Sequence, residues 1–304
     1  MGKSELKIVY IVLAHKDPDH FNRLIRKIYS NFSSFYIHID KKADPNPFKE
    51  AILDLSSNKI RFIKQFDATW GEIGIIKAEI LALQEIIKSG DDFDFVILIS
   101  GQDYPIKSNE FIYNFFLNNK GRNFLEILPM PFQDRADSGM HRLERYYFKF
   151  LGRKYIYPPF KMPRSLKQKI LNFLFGVYFS KRKLPKNLQA YGGEHWWCFS
   201  KEAVFYIMKY LKEHPEYLEF HRYSLCADEM FFHTIIGNAS EKEIKDNIVN
   251  DDLRYIDWSE GKDSPKILEL SDLDLIRKSS KLFARKFDSN VDSEVLNEID
   301  KIIQ

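Results

Sequence analysis

The sequence predicts an α/β fold with a mainly parallel central sheet. Three observations point there. Short, continuous apolar runs such as KIVYIVLA (7–14) and DFVILIS (94–100) read as strands covered on both faces. Segments of helical spacing alternate with them through the first 120 residues. The chain of 304 residues, 44% apolar and 15% aromatic, has ample material for a large core. Strands that alternate with helices build right-handed parallel sheets. Ligands of such sheets bind at the carboxyl ends of the strands.

KIVYIVLA is the first strand. His15, Lys16 and Asp17-Pro18 break it, and HFNRLIRKIY (20–29) then spaces Phe21, Leu24, Ile25 and Ile28 along one helix face. SFYIHID (34–40) is a second strand ending in Asp40. FKEAILDL (48–55) is a helix, and KIRFIKQ (59–65) a third strand ending in Gln65. A long helix over 71–90 stops at Gly90. DFVILIS, the fourth strand, runs into GQDYPI. The strand ends therefore carry His15, Asp40, Gln65 and Ser100 to Asp103. Beyond them the spacing predicts a helix over 109–119 and a strand over 122–130. WWCFS (196–200) reads as a strand leading into the helix KEAVFYIMKYLKEH. ADEMFFHTIIGN opens a further helix, IVNDDLRYIDW (248–258) is strand-like, and a last helix starts at Val291. No internal repeat or low-complexity segment interrupts the chain.

The net charge of +3 is unevenly spread. From Arg145 to Gly193 there is no Asp or Glu. Arg145, Lys149, Arg153, Lys154, Lys161, Arg164, Lys167, Lys169, Lys181, Arg182, Lys183 and Lys186 put twelve positive charges there, so the rest of the chain is acidic. YYFKF, YIYPPF and ILNFLFGVYF are interleaved with them. Basic residues among aromatics suit an anionic membrane surface, or a polyanionic or lipid-phosphate ligand. Nucleic acid is another reading, and a solvated basic face over an ordinary aromatic core a further one. Two cysteines, Cys198 and Cys226, form no disulfide framework in a chain this long and read as reduced thiols. The apolar run KIVYIVLA is too short to span a bilayer and lacks a small-residue cleavage site, so a cytoplasmic location is expected.

The phosphate-cradling patterns GxGxxG and GxxxxGK[ST] are absent, as are HExxH, a CxxC pair and GxSxG. After DFVILIS the chain reads SGQD. One carboxylate, Asp103, stands where an Asp-x-Asp pair would hold a divalent ion. The adjacent acids Asp228 and Glu229 in LCADEMFFHT allow three readings: a helix start, a metal site or a catalytic base.

The motifs IVLAHK (11–16), FYIHID (35–40), ATWGEIGIIKA (68–78), LISGQDYPIKSN (98–109), CADEMFFHTII (226–236), DDLRYIDW (251–258) and KLFARKF (281–287) resemble, in order, those of the core-2/I-branching β-1,6-N-acetylglucosaminyltransferase family. That family includes the peptide O-xylosyltransferases. The resemblance implies a GT-A type, Rossmann-like fold over a single domain, 1–304. Residues 7–120 would be a nucleotide-binding half and 121–290 an acceptor and catalytic half, with 145–193 as a basic aromatic insertion. It also implies an inverting transfer of GlcNAc or xylose from a UDP-sugar to a glycan hydroxyl, with no cofactor and no divalent metal. An inverting transfer needs one base and one device to hold the leaving diphosphate. By the resemblance the base is Glu229, and Asp228 beside it caps the helix. Arg285 and Lys286 would hold the diphosphate, with Lys266 as a further cation. His15, Asp40, Gln65 and Asp103 would face the nucleotide, and Trp70 would either close that pocket or join the core. Trp258, Glu126, Arg142 and Arg145 would face the acceptor. Glu194 and His195 in GGEHWW stand where many members have small residues. The expected partners are a UDP-sugar, a glycan or lipid-linked glycan, and an anionic membrane touched through 145–193, without nucleic acid. The chain resembles the family's bacterial members, which build surface polysaccharides. The alternative is a non-catalytic protein on the same scaffold that binds membranes or polyanions.

Overall fold

The computed structural model describes residues 5–303 apart from 134–137, 152, 162–164, 181 and 186–187, and of Phe150 the backbone alone. Of the basic residues named above, Arg164, Lys181 and Lys186 lie outside the described residues.

The first half keeps the predicted order of elements, but the expected helix 48–55 is Asn46–Ala51, and of the expected strand 59–65 only 60–62 forms, so Gln65 does not end a strand. Strands β1 (Ile8–Ala14), β2 (Ser33–Ile39), β3 (Ile60–Phe62) and β4 (Phe95–Ser100) lie parallel in the order β3-β2-β1-β4. The continuous apolar runs are explained by burial on both faces. Along β1, Ile8, Tyr10 and Val12 enter one core, while Val9 and Ile11 enter the other. Along β4, Phe95, Ile97 and Ile99 alternate in the same way with Val96 and Leu98. The helix Pro18–Ile28 seals the first core with Phe21, Leu24, Ile25 and Ile28. The helix Gly74–Ser89 seals the second with Ile76, Ile80, Leu83 and Ile86. It ends where expected, at Gly90 in the left-handed conformation (φ 71°). It begins later than expected, at Gly74, which passes so close to Asp67 that a Cβ would lie 1.7 Å from its carbonyl oxygen.

The second half departs from a simple alternation. After β5 (Asp103–Pro105) the expected strand 122–130 divides into β6 (Asn123–Leu125) and β7 (Leu128–Pro129). The basic segment forms the hairpin of β8 (Tyr146–Phe150) and β9 (Arg153–Tyr157) and the helix Leu166–Tyr178. β10 (Tyr191–Gly192) pairs with β7. β11 (Trp197–Ser200), the WWCFS strand, then inserts antiparallel between β4 and β6. The expected strand 248–258 also divides. β12 (Ile248–Asn250) joins the central sheet beside β6, and β13 (Arg254–Ile256) leaves it. Leu253 between them is left-handed (φ 62°). β13, β14 (Phe283–Arg285) and β5 make a separate three-stranded sheet. The central sheet thus reads β12-β6-β11-β4-β1-β2-β3 and is parallel except at β11. This is the expected α/β class with a mainly parallel sheet. Both cysteines are free and buried. Among the described residues no helix is long and apolar enough to cross a membrane.

Candidate active site

A cleft of about 610 Å³ opens at the carboxyl ends of β1, β2 and β4. His15 follows β1 and lines it; burial, with Lys16 nearby, holds its imidazole below the ordinary value. Asp40 follows β2 and also lines it. Both of its carboxylate oxygens accept from the chain's own amides, Oδ1 from Lys42 (2.8 Å) and Oδ2 from Ala68 (3.0 Å). Asp40 therefore fixes the loop that carries Ala68, Thr69 and Trp70 to the cleft wall. Trp70 is 62% exposed, which removes the core alternative. Gln65 does not line the cleft; its amide donates to the carbonyls of Asp40 and Ala43.

The small sheet delivers the cations. In β14, Arg285 stands in register with Asp103 of β5, and Nε lies 3.3 Å from Asp103 Oδ1. Asp103 is fully buried and accepts from the Ser100 amide at 3.0 Å. It is a support beneath Arg285 and does not line the cleft. The Arg285 guanidinium lies 4.0 Å from the Trp196 ring centre. Burial pushes its pKa down, against Asp103 and Glu194. Lys286 lines the cleft beside it and reaches Ser264 Oγ at 3.1 Å; burial and then Arg285 push its pKa down. Lys266 is elsewhere. It is tied to the buried Asp272 at 2.6 Å and does not line the cleft.

Glu229 lies on the cleft, in an ion pair with Arg142. The acid pair does not open an α-helix. Ala227–Glu229 is a 3-10 turn after Cys226, which is left-handed (φ 49°), and the α-helix begins only at Phe231. Asp228 makes no capping bond, contrary to expectation. The left-handed entry turns its carboxylate into a buried polar cluster instead. Its Oδ2 lies 3.6 Å from His195 Nδ1, and His195 Nε2 lies 2.6 Å from Glu79 Oε1. Glu79 also accepts from Trp197 Nε1 at 3.2 Å. Burial raises the Asp228 pKa, against His195. Burial works against protonation of His195, but Glu79 and Asp228 outweigh it and hold the imidazole above its ordinary value.

Glu194 completes this wall. It accepts from Trp258 Nε1 at 3.1 Å, and its own amide donates to Glu126 Oε2 at 2.8 Å. Burial, with Glu126 and Glu229 close by, pushes its pKa up to about 7. Trp258 lines the cleft and is 43% exposed. Glu126 sits behind Gly193, where a Cβ would lie 2.0 Å from the Glu126 carbonyl oxygen. Arg145 is not brought to the cleft. It lines a separate cavity of about 830 Å³, donates to the Pro158 carbonyl and stacks 4.2 Å from the Phe160 ring centre.

The sequence model of the Core-2/I-Branching enzyme family matches residues 8–277. The chain belongs to that family. Xylosyltransferase 2 of Rattus norvegicus is 25% identical over 325 residues, covering 97% of this chain and 33% of its own. The β-1,3-galactosyl-O-glycosyl-glycoprotein β-1,6-N-acetylglucosaminyltransferase 4 of Mus musculus is 26% identical over 314 residues, covering 95% of this chain and 64% of its own. The chain therefore spans about a third of the length of the xylosyltransferase it matches. In this Core-2/I-branching chain, sequence reasoning missed Glu79. A signal was present: Glu79 occupies the apolar phase of its helix, between Ile76 and Leu83 and beside Ile80. A carboxylate on a buried face needs a partner, and His195 is that partner.

Proposed function

We propose that this chain is an inverting glycosyltransferase that needs no divalent metal. It moves GlcNAc or xylose from a UDP-sugar to a glycan hydroxyl. The observation that carries this reading is the meeting of Glu229 and the pair Arg285-Lys286 in one cleft at the strand ends. The family match and the named activities of its relatives support it.

The donor's uridine lies against His15, Asp40 and the Trp70 loop, and its diphosphate against Arg285 and Lys286. The acceptor enters over Trp258, beside Glu194 and Arg142. Glu229 accepts the proton of the acceptor hydroxyl. The acceptor oxygen bonds to the anomeric carbon as the bond from that carbon to the β-phosphate oxygen breaks. UDP leaves with the electron pair, and its added charge is met by the two cations in place of a metal ion. Burial depresses the pKa of both cations, and Arg285 adds to the effect on Lys286. An incoming diphosphate offsets that cost by pairing with both. Lys266, bound to Asp272, has no part in this scheme.

The reaction belongs at the cytoplasmic face of a membrane, where the enzyme contributes to surface polysaccharide. The outward apolar residues of the basic segment, Leu166, Phe173 and Val177 among them, favour peripheral contact with anionic lipid. The same feature would suit a non-catalytic membrane-binding protein. A panel of UDP-GlcNAc, UDP-xylose, UDP-galactose and UDP-glucose, read by UDP release in EDTA, tests the activity. Release from GlcNAc or xylose donors is expected. No release from any donor, with vesicle binding retained, would favour the non-catalytic protein.

A further inference from the structure

A groove of about 760 Å³ adjoins the cleft, and Trp70 lines both. One wall is the β8–β9 hairpin; the other runs from Arg222 to Leu225, which precedes Glu229 by four residues. The lining is chiefly aromatic, with Tyr147, Phe148, Tyr155, Phe175, Tyr178 and Tyr223. The rings pack on one another: Phe148 lies 5.0 Å from Phe175 and 6.0 Å from Tyr155, centre to centre. Its cations are Lys149, Lys154 and Arg222. Lys149 pairs with Glu72 at 2.7 Å and Arg222 with Glu219 at 3.1 Å. Lys154 is exposed and makes no ion pair among the described residues.

The helix Leu166–Tyr178 closes the groove with Phe175 and Tyr178. Most of its other apolar residues face away, Leu171 being half-buried. Leu166, Ile170, Phe173, Leu174 and Val177 are each more than half exposed, and their spacing puts them in one stripe. No residue of this helix is buried. Lys167 and Lys169 are exposed on the same helix. Aromatic surface with three cations and one carboxylate, Glu72, which is paired with Lys149, is poorly matched to the many hydroxyls of a free glycan. It matches a hydrocarbon chain that ends in phosphate.

We propose that this groove holds the lipid-phosphate end of the acceptor. The acceptor is then a saccharide carried on a long-chain lipid phosphate or diphosphate. The chain lies along the aromatic wall toward the outward stripe, the phosphate meets Lys154 with Lys149 and Arg222, and the saccharide passes Trp70 to reach Glu229. Two features favour this occupant over bilayer lipid: continuity with the cleft, and cations set on the groove itself. The inference rests on the transferase reading for what lies beyond Trp70, and not for the groove.

The test titrates the full chain with farnesyl phosphate, farnesol, dodecyl phosphate and inorganic phosphate, and measures UDP affinity on the same samples. Farnesyl phosphate should bind at least about tenfold more tightly than farnesol or inorganic phosphate. Lys154→Glu and Tyr178→Ser, both at exposed positions, should each weaken it by roughly the same factor and leave UDP affinity unchanged. Farnesyl phosphate binding no tighter than inorganic phosphate, or indifferent to both substitutions, overturns the groove assignment while leaving the transferase reading intact. Groove binding in a chain that neither binds UDP nor hydrolyses UDP-sugars leaves the lipid-phosphate site standing and removes the acceptor role. Vesicles of phosphatidylcholine and phosphatidylglycerol that displace farnesyl phosphate completely would assign the groove to bilayer lipid and overturn the proposal.

Discussion

Glu229 and Asp228 are neighbours in sequence with opposite surroundings. Glu229 is partly exposed and paired with Arg142, while Asp228 is buried against His195. The sequence made the pair visible and the resemblance chose between its members. The left-handed Cys226 that turns them apart has no sequence mark. Replacing Glu229 by Gln removes the proposed base and should abolish transfer while UDP still binds, measured by UDP release and calorimetry. Glu194 allows a second prediction. Its folded-state pKa lies above that of a free glutamate, so folding favours its protonated form. That stabilisation is complete below the ordinary carboxylate range and is lost as the pH rises through about 7. Glu194→Gln keeps the acceptor for Trp258 and removes the loss, which is of the order of 1–3 kcal/mol. Relative to wild type, its melting temperature should rise more at pH 8 than at pH 5. The same difference at both values would contradict this account.

At the scale of elements, the cleft depends on chain approaches that only glycine permits. Gly193 lets the segment before β11 pass against Glu126, and a Cβ on Gly192 would lie 3.0 Å from the Glu229 carbonyl oxygen. The Gly193 amide donates to that same carbonyl at 3.0 Å. Gly193→Ala should therefore cost about 1–3 kcal/mol or more and reduce transfer, read by thermal melts and UDP release together. Unchanged melting would mean that the segment relaxes freely. These approaches also explain where sequence reading stopped. Whereas β3, at the sheet edge, is only half-buried at Ile60 and Phe62, the strands β1, β2 and β4 were legible because each is largely buried on both faces and reads as an apolar run. The breaks inside 122–130 and 248–258 were not, because both follow from contacts with distant chain: Gly193 against Glu126, and the left-handed Leu253 that sends β13 to pair with β14. Arg285 was legible as a residue. Its register against Asp103 was not, since it exists only once the small sheet has formed.

Taken whole, the molecule sets a polar cleft at one end of its sheet beside an apolar, basic flank. The charge imbalance of 145–193 was visible in composition, but its outward apolar stripe was not, since the same spacing fits a helix packed on a core. Leu174→Asp or Val177→Asp should weaken binding to anionic vesicles without lowering thermal stability, because both side chains are more than half exposed. High salt should weaken wild-type binding by screening the basic residues; salt-insensitive binding would contradict an electrostatic contribution. The central claim is that Glu229 and two cations perform the transfer without a metal ion. The most direct measurement is UDP release from the preferred UDP-sugar in EDTA, by wild type and by Glu229→Gln, with UDP affinity determined for both. The account predicts turnover by wild type in EDTA, none by the variant, and equal UDP affinity. Turnover that EDTA abolishes and Mn²⁺ restores would contradict it, as would a variant that keeps more than a few per cent of the rate.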